Sequence, residues 1–173
     1  MNHETLKLAR VGLLLALAVV IHSAEAMLPV TVLWFKFGFA NIIGLTTLYL
    51  FGFRYALFVT LGRVFLGSLI TGLFGSPAFV FSLAGGIASI VAMGLVKKLG
   101  RSAFSLIGIS IIGAITHNAA QLFVAYALII RNEAVFFLIP FMLIAALGTG
   151  FLNGLAARYL IRHFELAQSF SPG

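Results

Sequence analysis

Apolar residues run along this chain in six long stretches: Val11 to Leu28, Trp34 to Phe51, Tyr55 to Leu73, Ala78 to Val96, Phe104 to Ile130 and Val135 to Ile161. Each is close to the roughly 20 residues that a helix needs to cross a bilayer. The connections are short and carry turn chemistry, as in Gly52-Phe53-Arg54 and in Gly72 to Pro77, where Pro77 suits the first turn of the next helix. Such joins make consecutive helices antiparallel neighbours. The pattern predicts an all-α polytopic membrane protein: one domain over residues 1–173, folded as a bundle of six transmembrane helices.

Composition narrows what such a bundle can do. With 62% hydrophobic and 9% charged residues among 173, no room is left for a soluble domain beside the helices. The chain has no cysteine, which excludes disulfides, iron–sulfur clusters and thiolate metal sites. It also has no aspartate, its acids being Glu4, Glu25, Glu133 and Glu165. Aspartate-rich diphosphate–magnesium motifs and a Walker B strand are therefore excluded. Gly148-Thr149-Gly150 is not a nucleotide loop, because no lysine follows at P-loop spacing. No catalytic residue and no cofactor is expected.

The net charge of +7 points to the membrane surface rather than to nucleic acid, because the basic residues sit at the ends of the stretches. Lys7 and Arg10 precede the first, and Arg54 separates the second from the third. Lys97, Lys98 and Arg101 lie between the fourth and fifth, while Arg158 and Arg162 close the sixth. The alternate connections hold only Lys36 and Arg131. By the positive-inside rule both termini are cytoplasmic and the odd helices run outward. Ala24-Glu25-Ala26 gives the first stretch some look of a secretory signal, but apolar character resumes directly afterwards and the stretch reads as a span.

Polar residues inside the spans are the candidate chemistry. With this topology His22 and Glu25 fall in the outer third of the first helix, and Lys36 and Asn41 in the outer half of the second. Arg63 falls near the middle of the third, and His117, Asn118 and Gln121 at or just outside the middle of the fifth. They can line one cavity open to the outside. An ionised side chain at mid-bilayer costs about 2.5–3.5 kcal/mol, so Arg63 must meet protein, water or a counter-charge. One reading pairs it with Glu25. The other has Arg63 and Lys36 offering charge to an anionic ligand, for which a planar guanidinium fork is suited. The candidate substrate-binding set is Glu25, Lys36, Asn41, Arg63, His117, Asn118 and Gln121.

His22 and Glu25 share a helical face, as do His117 and Gln121, and two histidines with a carboxylate could ligate a metal. Neither pair is a metal motif by itself, and no metal is expected. Asn153 is read as a structural amide in the inner half of the sixth helix. Small residues recur at four-residue spacing in Gly12 and Ala16, Gly85 and Ser89, and Gly150 and Gly154, which permits close helix approach. On the first helix the alternative to internal packing is docking against a separate membrane partner.

The runs Lys36-Phe37-Gly38-Phe39-Ala40-Asn41-Ile42-Ile43 and Leu48 to Leu57 resemble a bacterial membrane family known as heptaprenyl diphosphate synthase component I, or Gx transporters. Arg63 to Leu69, Phe81 to Gly86 and Gly113 to Gln121 continue the resemblance in order, which spans about Val11 to Ala156. The six-helix layout is in turn similar to the substrate-binding S-components of energy-coupling factor transporters. That likeness implies a small-molecule substrate, a location in the bacterial plasma membrane, and docking on a transmembrane coupling subunit driven by cytoplasmic ATPases. Gly12 and Ala16 occupy a place comparable to the docking face of that first helix. The family label implies instead an accessory membrane subunit of polyprenyl diphosphate or quinone synthesis, since prenyl chain elongation needs aspartate pairs that this chain lacks.

Overall fold

The computed structural model describes residues 3–27, 38–100 and 103–169, and among these it is all-helical. The elements are α1 (His3–Met27), α2 (Asn41–Leu50), α3 (Phe53–Ile70), α4 (Pro77–Gly100), α5 (Leu106–Ala125) and α6 (Ile139–Ser169). A π-helical turn, Tyr126–Ile130, continues α5 and stops where Arg131 takes φ 46°; a 3-10 segment, Glu133–Leu138, leads into α6. Among the described residues, five helical segments are long and apolar enough to cross a membrane, as expected of a multi-pass membrane protein. Pro77 opens α4 as the turn chemistry predicts.

The second element departs from expectation. A spanning helix over Trp34 to Phe51 is predicted, but α2 has only 10 residues, about 15 Å of rise and half a hydrocarbon core. Residues 38–40 form a turn instead, with Gly38 at φ 71°, a conformation that disfavours any side chain. Residues 34–37 lie outside the described part of the chain. Non-helical backbone at membrane depth persists only when protein satisfies its polar groups. Here it does: the Glu25 carboxylate accepts from the Gly38 and Phe39 amides, and the Gly38 carbonyl accepts from Asn41 N at 2.9 Å and Asn153 Nδ2 at 3.1 Å.

The half-helix is the centre of the bundle. It packs against each of the other five helices, and seven of its ten residues are buried. Leu45 and Leu48 join Ile90, Met93, Ile109 and Ala157 in one core cluster, while Ile43 joins Val11, Leu14, Ala18 and Val59 in another. The spanning helices pack around it in the order α1, α3, α4, α5, α6. Between α5 and α6 the backbones nearly touch: a Cβ on Gly150 or Gly154 would stand 2.7 Å from Ile111 Cα or 2.9 Å from Ile107 Cα. These two glycines are a small-residue pair that serves internal packing.

Lys7 and Lys97 lie at the end of the bundle where α2 meets α3. Lys7 Nζ sits 4.6 Å from the Tyr55 ring centroid, and Lys97 Nζ lies 4.2 Å from that of Tyr49. Lys97 also donates to the Leu48 carbonyl at 2.9 Å, capping the C-terminus of α2. The positive-inside rule predicts that this end is cytoplasmic. In intact cells, a single cysteine at Ser102 in the cysteine-free chain is therefore expected to resist an impermeant thiol reagent until the membrane is opened. Labelling without permeabilisation would invert the orientation.

Candidate functional site

At the level where α2 begins, side chains from every helix around it turn inward. Arg63 is 2% exposed, and its Nη2 donates to Asn41 Oδ1 at 2.6 Å. Asn41 Nδ2 stands 3.4 Å from His117 Nδ1, and Gln121 Nε2 stands 3.0 Å from His117 Nε2. His22, Glu25, Gly38, Arg63, Ser82 and His117 line a cavity of about 10 Å³ between them. That is room for about one water. Glu25 is near enough to Arg63 to act on its charge. A guanidinium in this position is thus answered by an amide and a carboxylate rather than left against hydrocarbon.

Arg63 sets the polarity of the chain of bonds, because a guanidinium only donates. Asn41 must present its oxygen to Arg63, so its amide nitrogen donates to His117 Nδ1. The imidazole then carries its proton on Nε2 and needs an acceptor there. Gln121 has one, an Oε1 without a partner, and turning its amide about the terminal bond brings that oxygen to the ring. With the Gln121 amide so turned, Arg63, Asn41, His117 and Gln121 can form one directional chain of hydrogen bonds. Among the residues of this site, Arg63 Nε and Asn153 Oδ1 are also buried without a hydrogen-bond partner. Unused buried polarity of this kind is costly and calls for a reason.

Of the sequence candidates, Glu25, Asn41, Arg63, His117 and Gln121 come together here. Asn118 does not: one residue round the helix from His117, it donates to the Met142 carbonyl at 3.1 Å in the α5–α6 seam. Lys36 lies outside the described residues. Among the described residues the polar groups bond to one another and to the turn at residues 38–40, and the space left between them is small. Gly12 and Ala16 are exposed on α1, and among the described residues no heavy atom lies within 4 Å of where a Gly12 Cβ would stand. Internal packing is not what keeps Gly12 small.

Ser82, Gly38 and Asn153 belong to the site and were not singled out as such. Asn153 is read from the sequence as an inner-half structural amide, but α6 extends to Ser169, so Asn153 sits about midway along it and reaches the Gly38 turn. A lone amide in an apolar helix was the available signal. His22 joins through its place one turn before Glu25. Although His22, Glu25 and His117 line one cavity, no three His, Cys, Asp or Glu side chains among the described residues are grouped to hold a metal ion.

Five apolar spans around a half-helix, with a buried polar centre at its start, define a multi-pass membrane protein built around a buried polar site. The family model described as heptaprenyl diphosphate synthase component I matches residues 14–160, and the chain belongs to that family. No curated protein and no solved structure matches it.

Proposed function

We propose that the chain is the membrane-embedded substrate-binding subunit of an energy-coupling factor type importer in a bacterial plasma membrane. One observation carries this reading: a cluster of charged and amide side chains, buried inside the helical bundle against a non-helical turn. Such buried polarity marks a ligand or ion path more often than a scaffold. The ligand is a small molecule with an anionic or hydrogen-bonding head, met by Arg63 with Asn41, His117, Gln121 and Glu25, and by Lys36. The cavity holds about one water, so entry requires the Gly38–Ala40 turn to move away from Arg63. Mass spectrometry of small molecules retained by the gently purified protein tests this. A stoichiometric compound, absent from an Arg63→Gln preparation that still folds, is the expected result; an empty wild type defeats the reading.

Energy must come from other chains, a transmembrane coupling subunit and cytoplasmic ATPases, because this one has no nucleotide motif. The exposed Gly12 and Ala16 offer α1 as the docking face. Gly12→Leu and Ala16→Leu should each leave folding and ligand retention intact, since Gly12 faces open space and Ala16 is exposed. Each should weaken co-purification with the coupling subunit. A complex that survives both changes removes α1 from that role.

Family membership favours a second reading, an accessory membrane subunit of polyprenyl diphosphate synthesis. Capture of a soluble prenyl transferase, rather than of ATPase subunits, by the tagged chain would decide for it.

A further inference from the structure

A second cavity, of about 510 Å³, lies at the basic end, far from the polar centre. It falls within the roughly 300–1,000 Å³ of ordinary ligand sites. Its walls are apolar, with Phe53, Val91 and Leu95 exposed, and its rim holds Lys97 and Lys98. Two glycines keep it open. Gly52 makes the turn between α2 and α3, and Gly94 accepts the Phe53 ring so closely that a Cβ there would stand 2.7 Å from its Cδ2.

The charge around this groove is one-sided. Lys97 is pinned on the Leu48 carbonyl and the Tyr49 ring, so its ammonium is fixed in place, while Lys98 is exposed. Gly52 and Phe53 bring the start of α3 to the same groove. That helix has no side-chain cap and no acidic residue in its first turn, so its positive dipole end is not neutralised there. None of the lining residues is acidic. An anion is favoured at the rim, and hydrocarbon along the walls.

We propose that this groove binds the headgroup of an anionic phospholipid of the leaflet at the basic end, with an acyl chain laid against Val91 and Leu95. Basic pockets between transmembrane helices suit such headgroups, and each lysine near the surface contributes about a fivefold gain in affinity. The site is independent of the polar centre and of the importer reading.

The test is native mass spectrometry of the full chain released from nanodiscs of mixed phosphatidylglycerol and phosphatidylcholine. The wild type should retain one phosphatidylglycerol in preference to phosphatidylcholine. Lys98→Gln should lower that retention about fivefold. Gly94→Leu, which drives Phe53 into the groove without altering charge, should abolish it. Arg131→Gln removes the same charge at the opposite end and should change nothing. If Gly94→Leu does not fold, the exposed Lys98 still carries the test. Equal retention of both lipids, or retention indifferent to Lys98→Gln, overturns the proposal. So does displacement of the lipid by millimolar inorganic phosphate, which would make this a free-phosphate site. A groove that belongs to a protein partner would likewise show no phosphatidylglycerol preference in the purified chain.

Discussion

Arg63→Gln is expected to destabilise the protein in detergent by about 3–5 kcal/mol, the cost of leaving a buried charge without its counterpart. The group that loses its neighbouring positive charge is Glu25, which is 5% exposed and holds the Gly38 and Phe39 amides, while Asn41 Oδ1 also loses its donor at 2.6 Å. Glu25→Gln combined with Arg63→Gln should recover much of the loss, because a glutamine oxygen still accepts from the Gly38 turn and neither charge remains. A thermal unfolding cycle over the four proteins measures the coupling. Arg63→Lys separates structure from ligand binding. It keeps the charge and should keep most of the stability, yet it loses the planar fork, lowering ligand affinity tenfold for each 1.4 kcal/mol forfeited. A stable double variant that binds ligand as the wild type does would leave Arg63 a structural charge.

The long spans were legible because hydropathy and turn residues report lipid exposure and helix ends directly. The centre was not, for the same reason. Phe37-Gly38-Phe39-Ala40 is as apolar as a spanning helix, and hydropathy cannot distinguish lipid-facing helix from backbone buried in protein. Only Gly38 hinted at a break, and its φ of 71° becomes necessary once Glu25 and Asn153 bind the turn from two other helices. Depth, read from helix ends, grouped Arg63, Asn41, His117 and Gln121, four side chains that the structure brings into hydrogen-bond distance of one another in series. It could not resolve direction around an axis, so Asn118 was grouped with its neighbour although about 100° of helical rotation turns it toward Met142. Nor could depth show how little space the polar groups leave, since that depends on which side chains bond to which.

Gly85→Ala is expected to break the chain of hydrogen bonds through His117 from a position that makes none of them. A Cβ at Gly85 would stand 2.7 Å from His117 Cε1, 2.8 Å from Nδ1 and 3.0 Å from Nε2, against the flat edge of a ring held at both nitrogens. The imidazole cannot yield without losing Asn41 or Gln121, and the alternative is to part α4 from α5. Overpacking of this kind costs about 1–3 kcal/mol. Gly148 provides the control: among the described residues nothing lies within 4 Å of its Cβ position, so Gly148→Ala should be neutral or stabilise α6 by up to about 1 kcal/mol. His117→Ala removes the ring that the new methyl would strike. Gly85→Ala with His117→Ala should therefore be less destabilised than the sum of the single changes, and thermal unfolding of the four proteins reads the difference. Strict additivity would mean that Gly85 is small for some reason other than seating His117, and that chain would lose the helix that positions its histidine.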